Sequence, residues 1–393
     1  MEDVVIVEAK RTPIGAFSGS LATLTAPELG AAAIFDLIKQ SGISPDHVEE
    51  VIMGNVLSAG TGQAPARQAA LKAGLSDRTP ATAVNKVCAS GMKAVMIAAS
   101  QIALGENQVV IAGGMESMSN VPYYLDKHRF GSKLGHSEVS DGILRDGLWD
   151  VYNDCHMGSA GELCAREYQI SREEQDAYAA ESYKRALNAR DSGYFKDEIT
   201  EIKVKDRRGA VSVVAEDEEL NRVNFEKIPN LRPAFEKDGT ITAANASSIN
   251  DGAAALLLMN ASKAQELNLA PLAVIKGFAS SAKAPEWFTT APADAIPLAL
   301  KRAGVELSDV DLFEINEAFS VVALANQKIM GLDPQKVNVF GGAVSLGHPI
   351  GCSGARILVT LIHALRQKNL RTGCAGICNG GGGASALVVE LAD

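Results

Sequence analysis

The stretch 85–114, NKVCASGMKAVMIAASQIALGENQVVIAGG, decides the reading of the fold. It follows a short extended run at 82–85, passes through Cys88, and enters a segment rich in Ala and Met, 90–104, that reads as a helix closed by Gly105. Residues 109–112 are then a continuous apolar run, a buried strand leading into Gly113-Gly114. Outward from this unit the same alternation continues. Toward the N-terminus lie a strand at 4–8, a helix at 26–40 ending before Gly42, and a strand at 48–56. Alternating strands and helices predict a largely parallel sheet covered by helices on both faces, an α/β fold.

The C-terminal third repeats the plan. Strands are expected at 272–278, 312–315, 337–340, 375–378 and 386–391, with helices at 293–303, 317–330 and 352–367. Cys88-Ala-Ser-Gly-Met-Lys-Ala aligns with Cys352-Ser-Gly-Ala-Arg; each heads a helix of similar length followed by an apolar strand that ends in glycines, Gly113-Gly114 and 380–383. The repeat suggests duplicated halves, although two unrelated βα units share much of this pattern by composition alone. The expected division is 1–119 as the N-terminal half, completed by 247–271, then 272–393 as the C-terminal half. Residues 120–246 form an inserted loop or lid domain. The insert is more polar and carries a capping box, Ser171 with Glu174, before a helix at 175–190 that stops at Gly193. It also holds two basic stretches, 127–133 and 203–208, the second followed by Arg222 and Lys227.

Composition sets bounds. With 393 residues and 47% hydrophobic residues the chain can bury a large core, and only 5% aromatics favours packing through Ala and Gly. A net charge of −10 argues against a general nucleic-acid binder and means an anionic ligand needs a local basic cluster. Six cysteines in a chain this long read as reduced thiols, without metal-site spacing. No run looks long enough to cross a membrane and no leader precedes the first strand. The expectation is therefore a cytoplasmic protein, or a mitochondrial one whose leader has been removed.

Four places carry chemistry. Cys88 precedes a helix N-terminus, where the macrodipole and unpaired N–H groups favour a thiolate and an oxyanion; a small buried cysteine at a tight turn is the alternative. His348 sits in Gly347-His348-Pro349-Ile350-Gly351, where Pro349 excludes helical geometry and the glycines permit close approach. Cys378 ends a strand before Asn379 and four glycines, placed to exchange protons beside free backbone N–H groups, or simply spare. Asn316, in Asn316-Glu317-Ala318-Phe319, can hold a water or carbonyl, or can be an N-cap.

Together the segments 85–94, 316–319, 341–351 and 378–383 resemble, in order and spacing, the signature blocks of the thiolase family, and the resemblance runs through essentially the whole chain. Within the family the chain is most similar to short-chain acetoacetyl-CoA thiolases, through Trp149-Asp-Val-Tyr, His156-Met-Gly-Ser and Thr242-Ala-Ala-Asn-Ala-Ser247. The resemblance implies a thiolase fold: duplicated βαβαβαββ halves in a five-layer αβαβα sandwich with an inserted loop domain. It implies acetyl-CoA C-acetyltransferase activity, the reversible Claisen condensation of two acetyl-CoA to acetoacetyl-CoA and CoA. Cys88 would carry the acetyl group, His348 would take the thiol proton, Cys378 would remove the α-proton, and Asn316 would position a water. The backbone N–H groups of Cys88 and Gly380 would form a second oxyanion hole.

Carried over in the same way, Arg222, Val223, Asn224 and Lys227 fall at the nucleotide end of CoA and Ser247 along its pantetheine. Leu148, His156, Met157, Tyr183, Phe235, Ala318 and Phe319 match pocket positions. The potassium-activated mitochondrial type implies an ion held by Tyr183, Ala243, Ala244, Ala246 and Val344. Its Phe-Pro pair, associated with branched substrates, is here Phe288-Thr289. The family also implies a homotetramer, a dimer of dimers, with 127–133 resembling the tetramer-forming loop. A degradative thiolase for longer 3-ketoacyl-CoA and a non-catalytic acyl-CoA-binding scaffold are the competing readings; the second fits poorly with Cys88, His348 and Cys378 all present.

Overall fold

The computed structural model describes residues 2–205 and 208–392; Asp206 and Arg207, within the basic stretch 203–208, lie outside the described residues. Nine strands carry the architecture: β1 (Val4–Arg11), β2 (Glu50–Gly54), β3 (Ala81–Val84), β4 (Val109–Ser117), β5 (Asn250–Asn260), β6 (Ala273–Ala282), β7 (Leu312–Ile315), β8 (Thr372–Asn379) and β9 (Gly383–Leu391). The main helices are α1 (Ala26–Ser41), α2 (Pro65–Lys72), α3 (Ser90–Leu104), α4 (Met157–Glu167), α5 (Arg172–Asp191), α6 (Pro292–Ala303), α7 (Ser320–Met330) and α8 (Ile350–Lys368).

The strands run β7-β8-β9-β6-β1-β5-β4-β2-β3. Each half has the same internal pattern. β2 pairs in parallel with β3 and β4, and β4 and β1 flank β5 antiparallel. In the second half β7 and β8 are parallel, while β8 and β6 flank β9 antiparallel. Among the described residues the strand pairing between the halves is Val5 with Val274 and Ile6 with Ala273. The expected strand at 337–340 is reduced to isolated bridges, Phe313 with Val337 and Val339 with Gly341. Asn338 is the reason: it has φ 49°, which breaks the extended run, and its side chain instead bonds Ile315 N and O, both at 2.8 Å. Strand β5 and helices α2 and α4 were not anticipated from the sequence. In β5 both faces are buried, so its apolar run shows no alternation.

The chain between β4 and β5 is the long polar segment holding α4, α5 and a hairpin, Ile202–Lys205 with Val211–Val214. In the second half the equivalent connection, β8 to β9, is the turn at 380–382, where Gly381 and Gly382 both have φ 82°. Helices α1 and α2 cover one outer face and α6 the other, while α3 and α8 lie between the halves in a shared core. The segment Val87–Leu104 is, against expectation, apolar and long enough by length and composition to cross a membrane; its helix, α3, is a core helix of this middle layer. Helices α3 and α8 touch through glycines. A Cβ on Gly91 would lie 2.8 Å from Ala355 N, and one on Gly354 would lie 2.5 Å from Met92 N. Both contacts fall near the helix starts, so the residues preceding the two helices are brought to one end of the sandwich.

Candidate active site

That end opens on a cavity of about 380 Å³ lined by Cys88, His348 and Gly380. Its walls are Leu148, His156, Met157 and Phe235 from the insert and Ala243, Ala246 and Ser247 from the loop before β5. Phe288, Ala318 and Phe319 close it from the second half. His156 stacks on Phe235 at 4.6 Å, and Phe235 meets Phe319 edge-on at 5.9 Å. Val87, Met118, Leu144, Ile249 and Ile350 also line it and were not expected from the sequence.

Cys88 reaches the cavity on a strained turn. Val87, a β-branched residue, has φ 48°, and helix α3 begins only at Ser90. The Ser90 hydroxyl accepts from Lys86 N at 2.8 Å and donates to Val87 O at 2.6 Å, clamping the turn. The expected low thiol pKa is corrected here. Burial pushes the Cys88 thiol up to about 11, although the N–H groups of Gly380 and of Cys88 itself pull it back, and Glu116 adds a further upward push. Desolvation outweighs the helix end because Cys88 lies before the N-cap, Ala89, rather than in the first turn. Cys88 therefore rests as a thiol, which could act as a nucleophile only if a base took its proton.

His348 lines the same cavity. Its backbone N–H donates to Asn250 Oδ1 at 2.9 Å and its Nδ1 lies 2.6 Å from Ser353 Oγ. Since Ser353 donates its own proton to Pro349 O at 2.9 Å, it accepts from Nδ1–H. Nε2 then carries the lone pair, and it is buried without a partner. Burial, then the charge of Arg356, lowers the imidazole to about 3, so the ring is neutral at rest.

Cys378 is fully buried behind the cavity wall. Burial first and the neighbouring Cys88 second hold its thiol well above the ordinary range. Asn316 is not an N-cap: α7 starts at Ser320, and both polar atoms of the buried Asn316 side chain lack partners. That fits a group waiting for water or ligand.

Other expected residues sit farther out. Tyr183 lies outside the cavity wall, edge-on to Phe225 at 6.5 Å, with its hydroxyl raised to about 12 by burial, Glu219 and Glu317. Arg222 is exposed and pairs with Glu218 at 3.2 Å; Asn224 and Lys227 are exposed and Val223 is half-buried on the same segment. Ala244 and Val344 are also outside the wall. Val344 N donates to Glu317 Oε2 at 3.0 Å. Glu317 and Glu116 were missed from the sequence, yet each organises the site. Glu317 accepts from Tyr178, Ser182 and Asn338. Glu116 accepts from Asn55 Nδ2 and from the backbone N–H groups of Val56, Leu57 and Gly351. An acid inside an otherwise apolar strand was the signal for Glu116.

Comparisons with known proteins place the chain in a family. The model of the thiolase N-terminal domain matches residues 4–262 and that of the thiolase C-terminal domain matches 269–391. This chain belongs to the thiolase family. Among its relatives is acetyl-CoA acetyltransferase 2 of Arabidopsis thaliana, 59% identical over 391 residues, covering 99% of this thiolase and 97% of that protein. The mitochondrial acetyl-CoA acetyltransferase of Mus musculus is 55% identical, covering 99% and 91%. The crystal structure of Acat5 thiolase from Ascaris suum in complex with coenzyme A superposes with a TM-score of 0.93 at 44% identity over the full length of both chains. The thiolase fold expected from the sequence is thereby established.

Proposed function

We propose that this thiolase is an acetyl-CoA C-acetyltransferase working by a ping-pong route. One observation carries the reading: the Cys88 sulfur faces the N–H groups of Gly380 and Cys88, in a cavity shared with the unpartnered Nε2 of His348. In the first step His348 Nε2 takes the Cys88 proton as sulfur attacks the thioester carbon. The C–S bond to CoA breaks, and the CoA sulfur leaves with the proton of Cys378, giving acetyl-Cys88, CoA and a Cys378 thiolate. In the second step Cys378 removes an α-proton from a second acetyl-CoA. The enolate carbon attacks acetyl-Cys88, forming acetoacetyl-CoA and freeing the Cys88 sulfur, which takes its proton back from His348. Both steps put negative charge on an oxygen, which the two N–H groups already in place stabilise without reorganisation, joined by a water that Asn316 would hold.

CoA is assigned as substrate, with Ser247 along the pantetheine and Arg222, Val223, Asn224 and Lys227 at the nucleotide end. Arg222 and Lys227 supply positive charge against the global −10. A potassium ion fits the set Tyr183, Ala243, Ala244, Ala246 and Val344. Among the described residues none donates a hydrogen bond to those four carbonyls, and Glu219 and Glu317 place negative charge beside Tyr183. Such an ion supplies hard, oxygen-seeking charge that orders the loop under CoA. A homotetramer accords with the exposed Phe130 and Leu134 on the loop at 127–134. The proposed location is cytoplasmic, with a mitochondrial one as the second reading, since a mitochondrial relative is known.

The test is thiolysis of acetoacetyl-CoA beside longer 3-ketoacyl-CoA substrates. Activity restricted to the short substrate is expected. Equal rates across chain lengths would favour the degradative reading, and no thiolysis would overturn catalysis altogether.

A further inference from the structure

Three consecutive acids of the insert dock onto the core. Asp217 takes Arg11 through both carboxylate oxygens, at 2.7 and 2.9 Å, and accepts from Ile14 N at 2.8 Å. Glu218 gathers Ala16 N, Ser20 N and Ser20 Oγ at 2.8–3.0 Å. Glu219 Oε1 accepts from Asn250 Nδ2 at 3.2 Å. The next residues of the chain are those assigned to the nucleotide end of CoA.

Asn250 is the crossing point. It is fully buried, and its side chain uses every donor and acceptor it has. Nδ2 donates to Gly15 O at 3.0 Å and to Glu219; Oδ1 accepts from Ser248 Oγ at 2.8 Å and from His348 N at 2.9 Å. It also dictates the residue before the histidine. Gly347 has φ 110°, and a Cβ there would fall 2.4 Å from Asn250 Cγ. One amide thus touches the insert, the loop after β1, the start of β5 and the backbone of the catalytic histidine.

We infer that Asn250 is a positioning residue for His348, and that through Glu219 it ties the setting of that imidazole to the segment carrying the nucleotide end of CoA. This rests on the acetyltransferase reading, in which His348 is the base. The physical reason is that His348 has no regular secondary structure of its own. Its backbone N–H is fixed by Asn250 and its ring by Ser353. Losing one anchor lets Nε2 drift, and misplacement of a catalytic group by about 1 Å costs on the order of 100-fold in rate.

The experiment uses the full-length enzyme. Wild-type thiolysis of acetoacetyl-CoA is measured first; if the wild type is inactive, the functional reading fails and not this one. With an active wild type, Asn250→Ala should lower kcat and the rate of Cys88 acetylation roughly 100-fold, while the folded protein still binds CoA. Asn250→Asp keeps an acceptor for His348 N–H but loses both donors toward Gly15 and Glu219. It should retain kcat within about tenfold and show a raised KM that recovers at acid pH, where the added carboxyl regains a donatable proton. Glu219→Ala should raise KM more than it lowers kcat, and Glu219→Gln, which still accepts from Asn250, should raise KM less than the Ala variant does. Wild-type kcat in a folded Asn250→Ala enzyme would overturn the inference. So would equal impairment of the Ala and Asp variants at every pH in step with lowered Tm, the mark of a merely structural role.

Discussion

His348 Nδ1 and Ser353 Oγ stand 2.6 Å apart, and the Ser353 proton is committed to Pro349 O. The histidine is thereby held as the Nδ1–H tautomer, with its basic nitrogen turned to the cavity. Ser353→Ala should remove the lock and leave Nδ1 unpaired in a buried site. We expect kcat for thiolysis to fall about 10- to 100-fold with CoA affinity little changed. Steady-state kinetics beside CoA titration checks this; unchanged kcat would show that the serine does not set the ring.

The raised Cys88 pKa has a direct pH signature. The folded value, about 11, lies above the ordinary thiol range, so the protonated form is favoured in the fold at neutral pH. Alkylation of Cys88 by iodoacetamide should rise about tenfold per pH unit through the range 7 to 10, with no plateau near neutrality. The sign carries to stability. Burial of the neutral thiol contributes fully below the unfolded pKa, and that contribution is lost as pH climbs toward the folded value. Mass-spectrometric quantification of Cys88 adducts against pH decides the point, and a plateau below pH 8 would contradict it.

Cys378 is buried beside Cys88 and should separate the two chemical steps. Cys378→Ala should still form acetyl-Cys88, seen as a mass increment, while condensation falls by 1000-fold or more, on the order expected for losing a proton-transfer group. Exchange of acetyl-CoA α-protons with solvent should vanish with it. Wild-type exchange in this variant would assign the base elsewhere. Cys88→Ser should bind CoA and form no acetyl-enzyme, because a hydroxyl is far less acidic and less nucleophilic than a thiol before the same imidazole.

Gly114 tests how closely the halves must approach. A Cβ there would fall 2.1 Å from Gly351 O, on the segment that follows His348. The obstacle is backbone, which cannot swing aside as a side chain tip can. Gly114→Ala should cost about 3 kcal/mol, read as a lower midpoint in urea unfolding. A midpoint equal to wild type would mean that the α8 start tolerates displacement.

Much of this thiolase was determined by local sequence. Helix α3, strand β7 and the capping box at Ser171 follow from apolar period, β-rich composition and terminal side chains, and they stand where the sequence places them. Cys88, His348 and Cys378 stood out as candidates because glycine and proline punctuate the chain around them and because those segments resemble the thiolase signature blocks. What only the tertiary structure decided depends on contacts between distant residues. Strand β5 is buried on both faces and so carries no alternation to read. Asn338 turned an expected strand into single bridges, because its amide found partners at Ile315. Asn250, Glu116 and Ser353 carry no motif that marks them; their meaning arises when an insert, a strand end and a helix start converge on one histidine. The Cys88 pKa is of the same kind. A helix end argues for a thiolate, but desolvation is set by everything packed around the sulfur, and at this position desolvation is the larger effect.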